Sequence, residues 1–223
     1  MLTLYHCVSA RSLRPLWMLE ELGLAYRLEM LPFPPRFERG EYLQINPLGT
    51  VPLLVDGPVH MTESSAICEY LAARHAPPAL RVDADDPGLG DYLNYLHFGE
   101  ATLTFPQTLV LRYGQFEPPE RRLAQVVADY RRWFLSRLRT LEPRLAGERF
   151  IACGRFTAAD VSVGYALLLA EYLGMSGEFT PAVAAYWQGL RERPALQRAL
   201  AAEHAAALAQ GVSPHPAPLE HTP

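Results

Sequence analysis

Three short stretches of this sequence combine residue types that can do chemistry. The first, Ser9-Ala10-Arg11-Ser12, sets two hydroxyls beside a guanidinium, just ahead of a helical pattern. Such a group at a helix N-terminus can cradle a thiolate. A free thiol has a pKa of about 8.5, so little of it is nucleophilic at neutral pH. Lowering that pKa by about two units requires roughly 2.7 kcal/mol of preferential thiolate stabilisation. One charge-assisted hydrogen bond and a helix dipole supply much of that. The plainer reading has Ser12 as a helix N-cap and Arg11 solvated. Cys7 nearby is either a reactive thiol itself or a small buried hydrophobe.

The second stretch is Leu48-Gly49-Thr50-Val51-Pro52. The residue before proline is pushed into an extended conformation, and X-Pro is the linkage at which a cis bond is least costly. A cis Val51-Pro52 would turn the Val51 N–H and C=O outward, where a bound peptide could pair with them like an added strand. A trans proline opening an edge strand is the equal alternative. The third stretch, Met61-Thr62-Glu63-Ser64-Ser65, leads into a helix. A helix N-terminus favours a carboxylate, Ser64 adds a hydroxyl, and Glu63 can hold a cationic amine. The pair then suits an α-amino-acid end, although for this stretch taken alone Ser64 as a simple helix cap is the favoured reading.

The elements that must position these stretches are legible in outline. Thr3 to His6 reads as a strand. Pro15, Met18, Leu19 and Leu22 mark one helix face, with Arg14 and Glu21 on the opposite side and Gly23 as the stop. Tyr26 to Leu31 alternates as a second strand, and the prolines at 32, 34 and 35 open an irregular or short-helical stretch to Leu43. Val51–Val55 and Val59–Met61 form a hairpin at Asp56-Gly57, followed by a helix from Ser64 to about His75. The order predicts an α/β domain over 1–76.

Residues 77–90 carry Pro77-Pro78 and Asp83 to Gly88 and read as a linker, and 91–210 read as all-helical. A long helix carries Tyr92, Leu96, Phe105 and Leu109, with a kink expected at Pro106. A second spans about Glu120 to Leu141. A third starts at Thr157, where Asp160 fits a capping box and Phe156 with Val161 a hydrophobic staple. Two shorter helices cover about 182–191 and 195–209. The tail 211–223, with four prolines in its last ten residues, reads as disordered.

The net charge of −4 over 223 residues argues against nucleic acid. The arginine pairs 121–122 and 131–132 fit a solvated helix face. Three cysteines without paired spacing, and no apolar leader, point to a reducing cytoplasm and no metal cluster. No apolar run approaches the roughly 20 residues of a membrane-spanning helix.

Taken together, the chain resembles a glutathione transferase over nearly its whole length. The resemblance rests on Leu4-Tyr5, Leu19-Glu20-Glu21-Leu22-Gly23-Leu24, Asn46 to Pro52, Glu63-Ser64-Ser65-Ala66-Ile67 and Phe156 to Val161. It implies a thioredoxin-like N-terminal domain, an all-α C-terminal domain and a homodimer. It implies glutathione as co-substrate, with Val51 before a cis Pro52 pairing with its cysteinyl backbone and Glu63 and Ser64 holding its γ-glutamyl end. The family's catalytic Tyr, Ser or Cys follows the first strand; Arg11 stands at the cysteine position of bacterial cysteine-type members. The resemblance therefore leaves Ser9 or Ser12 as activator, assisted by Arg11. It places a hydrophobic electrophile between domains, against Phe105, Leu109, Tyr113 and Tyr165, residues that helix packing alone also explains. The implied activity is thiolate transfer to that electrophile in detoxification. The alternatives are a glutathione-dependent reductase, isomerase or dehalogenase, or a non-catalytic glutathione-binding regulator.

Overall fold

Leu2, Leu4 and His6 alternate with Thr3 and Tyr5 along β1 (Leu2–His6), and the first set is buried. The computed structural model describes residues 1–38, 40–75 and 80–217. From β1 the chain enters α1 (Leu13–Leu22), which ends at Gly23 in a left-handed conformation (φ 63°). It returns as β2 (Tyr26–Met30), parallel to β1 with Leu4 opposite Leu28. A short α2 (Pro35–Glu38) and a 3₁₀ turn (Gly40–Gln44) follow, as the proline-rich stretch led one to expect. The hairpin β3 (Leu53–Asp56) and β4 (Val59–Met61) turns at Gly57, and α3 (Ser64–Arg74) closes the motif. The sheet order is β2-β1-β3-β4, with β3 antiparallel to both neighbours. This is the expected thioredoxin-like arrangement.

The chain forms two compact units, 1–78 with 193–223, and 79–192. The first therefore recruits α10 (Pro194–Ala209), which the sequence grouped with the helical region. Local periodicity identifies a helix but not its docking partner, and here four charged or amide groups choose it. Arg193 grips Glu21 through both carboxylate oxygens (2.7 and 2.9 Å). Arg198 reaches Glu20 at 2.9 Å, and Glu203 meets His6 at 2.7 Å. Gln210 completes the edge of β2: its carbonyl accepts Met30 N–H and its amide donates to Leu28 C=O, both at 2.8 Å. With α3 and α10 both against it, α1 is buried from Leu13 through Leu19, Arg14 included.

The second unit is helical: α4 (Leu89–His97), α5 (Phe105–Leu111), α6 (Ala124–Arg139), α7 (Glu142–Leu145), α8 (Ala158–Tyr172) and α9 (Pro181–Arg191). The expected long helix is continuous from α4 into α5 through a π-helical segment, Phe98–Thr104. Pro106, where a kink was expected, is the second residue of α5, directly after that π-helical segment. Gly99 in that segment is required by close approach: a Cβ there would lie 2.5 Å from backbone and side chain of Ser162. The predicted second helix begins only at Ala124, after a separate 3₁₀ turn at Pro119–Arg121.

Of the expected linker, residues 77–79 lie outside the described residues. The rest is anchored, with Leu80 and Val82 buried and Leu80 C=O accepting Ala158 N–H at 2.7 Å. Of the expected tail, Val212 N–H donates to Ala207 C=O, and residues 218–223 lie outside the described residues. Among the described residues no helix is long and apolar enough to cross a membrane.

The buried helix α8 starts as its sequence predicts. One oxygen of Asp160 accepts Thr157 N–H (2.8 Å) and its hydroxyl (3.3 Å). The other accepts Ile151 N–H (2.8 Å) and the Tyr186 hydroxyl (2.9 Å). Burial lifts this carboxyl to about 6, while the four donors pull it back. With the folded value above the unfolded one of about 3.9, its contribution is greatest below pH 4 and is lost as pH rises through 6. Asp160→Asn is expected to destabilise the protein at every pH, because its amide cannot accept two of the four hydrogen bonds. Denaturant unfolding from pH 4 to 7 should show that deficit shrinking by on the order of 3 kcal/mol. A pH-independent deficit would contradict this account.

Candidate functional site

Strand register gathers the three sequence stretches at one end of the sheet. Tyr5 lies opposite Leu53 and Leu54 opposite Met61. The segment after β1, the residues before β3 and those after β4 therefore emerge together. They hold Cys7–Ser12, Val51-Pro52 and Glu63-Ser64. Behind them Cys7, Leu31, Tyr42 and Leu53 form a core against which Ala10 and Val51 pack.

The Val51-Pro52 bond is cis. Among the described residues no hydrogen bond takes up the Val51 N–H or C=O, so both remain available to a ligand. The preceding segment is rigidly held. Thr50 C=O accepts the Tyr42 hydroxyl and the Asn46 amide, both at 2.8 Å. Gly49 takes φ 60°, and a Cβ there would sit 2.7 Å from Arg36 Cβ and 2.8 Å from Leu43. Only glycine fits that approach.

Glu63 (φ −88°, ψ 114°), not Ser64, occupies the N-cap of α3, and among the described residues no side-chain cap bond is made there. Its first N–H groups and positive dipole end are thus left for an external acceptor. Ser64 is the first helical residue, and its hydroxyl accepts a hydrogen bond from Arg14 Nη1 at 3.2 Å. Arg14 is fully buried, whereas its spacing in α1 had put it on the side away from the core. A guanidinium behind Ser64 both orients that hydroxyl and adds positive potential to the same end of the helix.

The loop after β1 is tightly organised. Ser9 is nearly buried with φ 56°, and its N–H donates to Glu203 at 2.8 Å. Ser12 is fully buried. It stands at the N-cap of α1, yet its hydroxyl does not cap the helix; it lies 2.7 Å from His6 Nδ1. Arg11 is half-exposed. Phe105 is exposed on α5, Leu109 and Tyr113 are half-buried, and Tyr165 is buried in α8, all within the second unit. Sequence reasoning missed Arg14, His6 and Glu203. The available signal for Glu203 was a lone carboxylate on the apolar stripe Leu196, Ala199, Ala207 of α10.

Cys7 is not activated. Burial pushes its thiol up to about 12, and its Sγ faces Pro32 C=O at 3.7 Å. Cys68 is likewise buried and pushed up to about 12. Cys153 alone is partly accessible. Titration of the native protein with an aromatic disulfide reagent at pH 8 should therefore modify Cys153 first. Cys7 and Cys68 should react only on unfolding; rapid native labelling of Cys7 would overturn its assignment as core.

Residues 8–74 match the sequence model of the glutathione S-transferase N-terminal domain. The chain is 31% identical over 194 residues to glutathione S-transferase 4 of Zea mays, covering 83% of this chain and 85% of that protein. It is 28% identical over 205 residues to glutathione S-transferase 3 of Schizosaccharomyces pombe, covering 87% and 85%. The fold is similar to the solved structure of a sphingomonad glutathione S-transferase complexed with glutathione, at 25% identity. That match has a TM-score of 0.78 and covers 90% of this chain and 98% of the other.

Proposed function

The chain belongs to the glutathione S-transferase family, and from that premise we propose that it binds glutathione at this end of the sheet and stabilises its thiolate for attack on an apolar electrophile. One observation carries the reading: the uncommitted Val51 backbone and the uncapped N-terminus of α3 share the end of the sheet from which Cys7–Ser12 emerges. Val51 pairs with the cysteinyl backbone as an added strand would. Ser64, oriented by Arg14, and the first amides of α3 take the γ-glutamyl carboxylate, and Glu63 takes its amine.

These contacts fix the sulfur near Ser9, Arg11 and Ser12. Catalysis is then electrostatic stabilisation plus proximity. The buried hydroxyl of Ser12 is engaged with His6, which favours Ser9 and Arg11 as the groups facing sulfur and Ser12 as a support. Phe105, Leu109 and Tyr113 are the proposed electrophile contacts. Family membership supports a homodimer acting in the cytoplasm, in detoxification.

Ultraviolet thiolate absorbance of bound glutathione is expected to titrate well below the free-thiol value of about 8.5. Ser64→Ala should weaken glutathione binding by about tenfold or more, the loss of a hydrogen bond to a charged group. Ser9→Ala should raise the bound thiol pKa with little change in affinity. A bound thiol that titrates like the free one would remove the transferase reading and leave a glutathione-binding regulator.

A further inference from the structure

Helix α10 carries one carboxylate on an otherwise apolar docking face. Its buried positions are Ala195, Leu196, Ala199, Glu203 and Ala207, and Glu203 is 4% exposed. A carboxylate persists in such a place when it is paired and hydrogen-bonded. A single oxygen of Glu203 meets two such partners, His6 Nε2 at 2.7 Å and the Ser9 N–H at 2.8 Å. The other ring nitrogen of His6, Nδ1, lies 2.7 Å from the Ser12 hydroxyl. The Ser12 oxygen accepts the Cys7 N–H at 3.4 Å. Glu203, His6 and Ser12 thus form one buried relay that fastens both ends of the Cys7–Ser12 loop.

Ser9 is the strained point of that loop. Its φ of 56° is a left-handed conformation that a side-chain-bearing residue adopts only when its surroundings impose it. The bond from its own N–H to Glu203 is such an imposition.

We propose that Glu203 is a positioning residue for thiolate stabilisation, acting from the last helix on the sulfur-facing loop without touching glutathione. It sets Ser9 directly and Ser12 through His6; the inference rests on the reading that this loop faces the sulfur. Glutathione's other holds, Val51 and Ser64, lie outside the relay. Losing Glu203 therefore separates binding from activation.

The test compares wild type, Glu203→Ala and Glu203→Gln by calorimetry with glutathione, by steady-state kinetics with an aromatic halide, and by thiolate absorbance of the bound tripeptide. The alanine variant is expected to bind glutathione within about threefold of wild type, to lose at least tenfold in kcat, and to show a bound thiol pKa shifted toward the free value. Glutamine, which retains an acceptor oxygen, should restore most of the kcat. A folded alanine variant with wild-type kcat and thiol pKa would overturn the proposal, as would equal losses in affinity and kcat that track a lowered Tm.

Amide hydrogen exchange on the wild-type protein needs no variant to fold. The Ser9 amide should exchange as slowly as those of α10; rapid exchange while α10 stays protected would equally overturn it. Wild type failing to lower the bound thiol pKa would refute the functional reading instead, and the exchange result would still decide whether Glu203 holds the loop.

Discussion

A carboxylate near the end of the chain accepts hydrogen bonds from a histidine and a backbone amide near its beginning. Glu203 joins His6 and Ser9 across nearly the whole sequence, in a place with almost no access to water. Burying such a group is costly unless every partner is in position, so the contact demands that α10 seat fully. Once it does, β1, the loop after it and α1 are all constrained. The bidentate Arg193–Glu21 pair and the Gln210 amide on the edge of β2 align the helix at its two ends. An otherwise open strand edge is closed in the same step.

The proposed ligand-binding end of the sheet is built largely from groups that have no hydrogen bond among the described residues. Val51 precedes β3, which starts at Leu53, and among the described residues no hydrogen bond takes up its N–H or C=O. The N-terminus of α3 has no side-chain cap, and a buried arginine lies behind its first residue. Unpaired donors and a positive helix end are expensive inside a protein and useful at a surface that receives a carboxylate. The neighbouring rigid parts, Gly49 and the Thr50 carbonyl held by Tyr42 and Asn46, keep that geometry from relaxing.

Much of the fold was legible because its punctuation is chemical. Gly23 ends α1 in a left-handed turn, Gly57 turns the hairpin, and Thr157 with Asp160 starts α8. The stretches proposed as a site were also readable, since each lies at an element boundary where backbone groups are free. Arg14 was not, because counting one apolar face assumes that the opposite face meets water, and α1 is covered on more than one side. Glu203 was hidden by distance along the chain: no local pattern tells a helix which strand it will dock against. The π-helical segment at Phe98–Thr104 contains Gly99, which closely approaches Ser162, a tertiary contact that periodicity does not encode.

The proposed glutathione site is the end of the sheet defined by Val51, Ser64 and the Cys7–Ser12 loop. Nitrogen-15 amide spectra recorded during a titration with reduced glutathione test it residue by residue. Saturable shifts are expected, largest at Val51, at Glu63 to Ser65 and at Ser9 to Ser12. Shifts confined to another surface, such as the cleft lined by Tyr5, Glu41 and Ile45, or no shifts at saturating ligand, would contradict it.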